Sequence, residues 1–272
     1  MDRKFFNVTV LPDLVRDTGT VSAVNAFSNG DLIFDWTPFD IPKGSAQLKS
    51  IEAIIRGTDG ADQVGTGEDF ELIFAKSVDG NAPSTLGTIN QAVSKSTVSG
   101  TGVGWFRNII GSIFMDATNN DNAGNLVFID TFSANFEALR DCPVLTGEPD
   151  SGTNVGFDKL YVAAYSRGAT FNFGTGVLLN ETDADALAAF DAADASKSTA
   201  TLTIDGTDAR KVFQNGDVVV AADGAVCGTI KNLTHDGTDG TLVLTAKHTD
   251  ALTNNDELIN KNPIRLELSF EK

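Results

Sequence analysis

Histidine and cysteine are nearly missing. The 272 residues contain two of each, which removes most nucleophilic and metal chemistry at the outset. Cys142 and Cys227 fall in segments read below as different domains, so they are expected as free thiols of a chain made in reducing cytosol, not as a disulfide framework. A hydrolytic triad needs a base beside a serine or cysteine. His235 sits inside a predicted turn and His248 just after a predicted strand, both away from any Gly-x-Ser-x-Gly elbow, and both read as exposed loop residues. Zinc takes paired Cys and His ligands, and no such pair is present. Long apolar runs are lacking as well: residues 218–222 form a run of five, against roughly 18 for a membrane helix, so no membrane partner is expected. Polar residues and Pro12 interrupt the opening segment before it could serve as a secretory core.

Positive charge is also scarce. Twenty Lys and Arg against 37 Asp and Glu give a net charge of −17, which repels phosphate backbones and anionic lipid, so no nucleic-acid partner is expected. Tyrosine and tryptophan number two each beside 18 phenylalanines. Sugar sites favour exposed Trp and Tyr platforms, so this balance argues against a glycosidase built on a carboxylate pair, and phenylalanines on strands read as core.

What the chain does have is short alternating runs of branched and aromatic residues, punctuated by Gly, Asn and Asp, with little helical periodicity. This predicts strands over 5–10, 31–36, 47–56, 70–77, 106–116, 126–136 and 159–167. Apolar residues break strict alternation in 50–56 and 68–74, so both segments are expected to be covered on two faces at the centre of the fold. Regular strands without intervening helices predict an all-β fold, a jelly-roll-like β-sandwich. Two long loops, 78–103 and 141–157, far exceed the ~4–6 residues of an ordinary connection and are expected on the surface. Composition shifts at Asn180: the alanine-rich stretch 181–194 predicts a helix capped by Thr182, a helical connector over 181–195. Further strands over 201–204, 217–222, 225–232 and 241–246 are separated by Asp-Gly turns, and a heptapeptide beginning at Leu202 recurs at Leu233. These predict a small SH3-like β-barrel domain over 196–260, inserted before the last strand. Residues 261–272 then return to the sandwich formed by 1–180.

Candidate sites are few. Asp116 with Asn119, Asn120, Asp121 and Asn122, and the two Asp-Gly-Thr-Asp turns at 205–208 and 236–239, offer oxygen ligands for calcium. None has the spacing of a dedicated calcium loop, and they read as turns. Gly100-Thr101-Gly102-Val103-Gly104 lacks the Lys-Ser/Thr pair of a phosphate loop. No catalytic residue, metal or cofactor is therefore assigned. Trp105, Phe106 and Arg107 are of the types that anchor interfaces and are the candidate partner contacts.

Residues 213–246 (FQNGDVVVAADGAVCGTIKNLTHDGTDGTLVLTA), 251–268 (ALTNNDELINKNPIRLEL) and 41–60 (IPKGSAQLKSIEAIIRGTDG) resemble virion structural proteins of tailed phages of marine bacteria, cyanophages in particular. Within that group, acidic all-β proteins of this size are similar to capsid decoration or cement proteins. The resemblance implies a non-enzymatic protein on the capsid exterior that binds the major capsid protein and is itself a homo-oligomer, a trimer at threefold positions. The alternative is a tail- or fibre-associated adhesin that binds host glycans through residues 196–260.

Overall fold

The computed structural model describes residues 4–14, 27–56, 69–77, 81–93, 108–116, 129–135, 144–146, 148–149, 157–168, 173, 176–221 and 224–272. In chain order the first strands are β1 (Phe5–Val10), β2 (Leu32–Pro42), β3 (Ser45–Arg56), β4 (Phe70–Lys76), β5 (Ile109–Met115), β6 (Ile129–Asn135), the short β7 (Val144–Thr146) and β8 (Glu148–Pro149), and β9 (Phe157–Ser166). Six strands of a second unit follow: β10 (Val177–Leu178), β11 (Thr201–Ile204), β12 (Val218–Ala221), β13 (Val226–His235), β14 (Gly240–Leu244) and β15 (Glu257–Asn260). The last strand is β16 (Ile264–Glu271).

One sheet runs β1-β16-β3-β6 with β7 beside β3, and the other β2-β9-β4-β5 with β8 beside β9. The eight long strands change sheet in the two-Greek-key order of a jelly roll. Alternation drives this arrangement. In β1, Phe5, Asn7 and Thr9 face solvent while Val10 is buried. In β16, Ile264, Leu266, Leu268 and Phe270 all point into the core. A bulge in the β3–β16 ladder, where the register passes from Ser269 opposite Ser50 to Phe270 opposite Leu48, shifts the inward set of β3 from Ala46 and Leu48 to Ile51, Ala53 and Ile55. The core between the sheets joins these residues to Phe34, Ile41, Phe70, Phe74, Leu160 and Val162.

The expectation of cover on both faces holds for β4 and not for β3. Residues Leu72 to Ala75 are all buried, because residues 81–93, part of the first long loop, lie across the outer face of the second sheet. Leu86 packs there with Leu32, Ile73 and Ala163. In β3, Glu52 is exposed and Ile54 half-buried; the irregular Ile54 looks onto a small hollow beside the barrel.

Strands β10 to β15 form a nearly closed barrel in the order β10-β15-β12-β13-β14-β11. A bridge between Leu179 and Ile204 closes the ring. The barrel lies between β9 and β16 in sequence, hence inserted before the last strand. Its interior holds Leu179, Leu202, Ile204, Val212, Phe213, Val219, Leu242 and Leu258. The predicted 14-residue helix is absent: only Ala184–Leu187 is helical, capped by Asp183 in place of Thr182. None of those four residues is buried, and with only the half-buried Leu187 packed on the barrel the stretch has too little apolar contact to offset the cost of a longer helix.

Barrel and sandwich share two strands. Strand alternation sends Val219 and Leu258 into the barrel, and their neighbours Val220 and Ile259 into the sandwich core. Around this seam Arg56 donates to the Gln214 side chain at 3.0 Å and lies 3.6 Å from Asp217. Asp217 also accepts from the Gln214 amide and from Asn260 Nδ2, at 2.9 and 2.8 Å. Burial pushes Asp217 above the usual carboxylate range and the Arg56 guanidinium below its own, each shift being opposed by the other's charge.

Candidate functional site

The outer face of the second sheet carries a cleft of about 610 Å³. The strand register builds it. Glu71 on β4 stands opposite Tyr165 on β9 on one side and Phe114 on β5 on the other, while Ile73 stands between Ala163 and Ser112. Ile73, Ile109 and Val93 supply an apolar surface, and Asn29, Ser112, Glu71, Tyr165 and Arg167 a polar one. The segment 81–93 forms one wall and is tied down by Asp35. This carboxylate accepts from the Thr85 hydroxyl and from the Leu86 amide at 3.2 Å, and the Trp36 indole donates to the Ser84 carbonyl at 3.0 Å. Backbone bonds from Leu32 to Gln91 (2.9 Å) and from Asn90 to Leu32 (2.8 Å) continue the attachment.

At the polar side the Tyr165 hydroxyl donates to Glu71 Oε2 at 2.5 Å, and Arg167 Nε lies 3.7 Å from the same oxygen. The guanidinium sits 5.7 Å from the Tyr165 ring centroid, within the range of a cation–π contact. Arg167 is nearly half exposed, so this ion pair adds little stability; its effect is to aim the group. Burial, with the Glu71 hydrogen bond second, pushes the Tyr165 phenol up to about 12. Because the folded value lies above the ordinary one near ten, Tyr165 contributes stability that is intact below pH ~10 and lost as pH rises through its folded value. Absorbance titration at 295 nm is expected to show a tyrosine step near pH 12 that moves down in Glu71→Gln and stays above ten, since burial remains. A step that does not move would place the shift elsewhere.

Chemically, the cleft can hold a molecule with one apolar face and several hydroxyls or a negative group, taken by Arg167, Asn29 and Ser112. Sequence reading missed it. Glu71 and Tyr165 are 94 residues apart, and only the β4–β9 register joins them. The available signal was that Tyr165, one of two tyrosines in the chain, lies two residues from an arginine on a strand.

The candidate contacts Trp105, Phe106 and Arg107 lie outside the described residues, as do Cys142, the 119–122 cluster and the glycine run 100–104. Of the Asp-Gly-Thr-Asp turns, Asp236 accepts the Thr238 and Asp239 amides, both at 2.8 Å. In the other copy Asp208 caps the helix Ala209–Val212 and holds Arg210 at 2.7 Å. The copies meet, for Asp239 accepts the Gly206 amide at 3.1 Å. Among the described residues no group of three or more His, Cys, Asp or Glu could hold a metal. The reading of His248 as exposed is corrected: it is fully buried. Its Nδ1 lies 2.7 Å from the Asp250 carbonyl oxygen and its Nε2 2.8 Å from that of Ala186, so the ring pins the 184–187 turn to the barrel. His235 ends β13, with Nδ1 2.9 Å from the Asp239 carbonyl oxygen.

No protein-family model and no curated protein matches the chain. Among solved structures, a chain of Cucumber Leaf Spot Virus aligns over 99% of this chain and 90% of that one at 10% identity and a TM-score of 0.12. A likeness of that size carries no statement about fold or function.

Proposed function

We propose that this protein is a non-enzymatic structural component of a phage virion, a decoration protein that binds the outer capsid surface and bridges major capsid subunits. The observation that carries the reading is the seam between barrel and sandwich, where β12 and β15 give alternate residues to two cores. A part that works by contact needs its faces held in a set relation, and shared strands provide that. The stretches that resemble cyanophage virion proteins include this seam: 41–60 spans all of β3, 213–246 covers β12 to β14, and 251–268 covers β15 and the first five residues of β16. Jelly rolls serve in viral capsid and lectin domains, an analogy of fold that assigns no role by itself. Many weak contacts on a lattice add up through avidity, and the acidity keeps a many-copy protein soluble.

Mixing the purified protein with undecorated shells and counting bound copies by cryo-microscopy tests the reading. Saturation at a fixed number per lattice unit is expected; absence from the shell overturns it. The second reading, an adhesin for host glycans, is supported by the cleft with Tyr165 and Arg167; in that reading the sugar would sit on the sandwich, not on the barrel over 196–260. Glycan binding that is lost in Arg167→Ala, with density confined to the tail or a vertex, would establish that reading in place of decoration.

A further inference from the structure

Both sheets end on the same side, β1 in one and β2 in the other, and the two edges are treated differently. Open strand edges invite pairing with other chains, and proteins blunt them with proline, charge, bulges or a covering loop. Strand β2 has all four: Pro38 and Pro42, the carboxylates of Asp35 and Asp40, two register breaks, and the cover of residues 89–92. Strand β1 has none. Its pairing with β16 is regular from Phe5 to Val10, and residues 5–12 carry no proline before Pro12 and no charge at all.

The ladder phase states which backbone groups are left over. Lys4 and Lys272 exchange hydrogen bonds at 3.1 and 2.8 Å. By antiparallel alternation Phe6, Val8 and Val10 then bond to β16, whereas the amides and carbonyls of Phe5, Asn7 and Thr9 point to the open edge. Beside them Phe5 is 69% and Leu11 51% exposed.

We propose that β1 is a homodimer edge, on which β1 of a second copy adds antiparallel with Val8 opposite Val8 across a two-fold axis. This inference is independent of the virion reading and replaces the threefold assembly expected there. The register follows from the side chains. It sets Phe5 against Leu11 of the second copy, so that the two exposed apolar groups cover each other, and Asn7 against its Thr9. The half-buried Phe6 and Val8 meet its Val10 and Val8. A second copy is the fitting occupant because every pair in this register is uncharged. Two molecules at −17 can approach along a charge-free strand, and the same exposed groups satisfy both sides, as an isologous contact requires. The two five-stranded sheets become one of ten strands.

Light scattering and sedimentation at micromolar concentration are expected to give twice the chain mass. Asn7→Pro removes an amide that faces outward, where proline is tolerated, and is expected to give a monomer with an unchanged circular dichroism spectrum and unfolding midpoint. Phe5→Lys, on a side chain already exposed, is expected to weaken dimerisation at least tenfold. Val8→Cys places two thiols in a non-hydrogen-bonded pair, ~4.5 Å between Cα atoms, and is expected to form an intermolecular disulfide on mild oxidation. Phe5→Cys is the control: its two thiols would lie six positions apart, ~20 Å, and remain uncoupled. A monomer at all concentrations, a threefold mass, a dimer indifferent to Asn7→Pro, or equal cross-linking by both cysteine variants overturns the proposal.

Discussion

Replacing Phe270 by alanine is expected to cost about 3–5 kcal/mol of stability, a large share of the roughly 5–15 kcal/mol that holds a typical fold together. The ring is fully buried. It stacks on Phe6 at 5.2 Å and faces Phe39 at 6.4 Å, so it joins β16 to β1 in its own sheet and to β2 in the other. The loss is therefore one of both packing and sheet-to-sheet contact, at the place where the chain's last strand enters the sandwich. The urea midpoint should fall with the slope unchanged, and Phe270→Leu should lose less than half as much. A midpoint unmoved by the alanine would mean that residues 264–271 lie outside the cooperative core, which would remove the basis for treating the barrel as an insertion.

Valine at position 240 is expected to cost about 3 kcal/mol and to act on the barrel first. Gly240 pairs with Ile204 on one side and His235 on the other. A Cβ there would come 2.5 Å from the Thr207 carbonyl oxygen and 2.8 Å from the Ala209 amide nitrogen. Both are backbone atoms, and the turn that holds them caps the helix packed on β13 and β14, so neither can give way without opening the β11–β14 pairing. Gly206 makes the useful contrast. It has φ +60° and nothing near a Cβ position, so Gly206→Asn should be mild because asparagine tolerates that backbone region. Hydrogen exchange separates the outcomes: amides of β11, β13 and β14 should lose about a hundredfold in protection while those of β3 and β16 keep theirs. Equal loss across both units would show that the shared strands make them unfold together.

Local pattern was sufficient wherever a segment's two faces meet different surroundings. Residues 5–10 and 201–204 are strands over the predicted bounds, because alternation there mirrors core on one side and water on the other. The inserted barrel was visible for the same reason, from its Asp-Gly turns. Strand β15 was not. Only Leu258 and Ile259 are apolar in it, and they point to different cores, so no period exists to read. The helix Ala209–Val212 was also missed, although Asp208 caps it and Ala209, Val212 and Phe213 repeat at helical spacing. The alanine-rich stretch erred in the opposite direction, since propensity without a buried face does not hold a helix in water.

The amino-acid order alone determined the all-β character, the turns, the acidity and the poverty in catalytic groups, since each is a matter of composition or of neighbours a few positions apart. Tertiary structure decided which strands pair, and with that the meeting of Glu71 with Tyr165, the burial of His248 and the open edge at β1. Those depend on contacts between segments far apart in the chain, where the free energy of burying one face is settled by what another part of the molecule lays against it, and no local pattern records that choice.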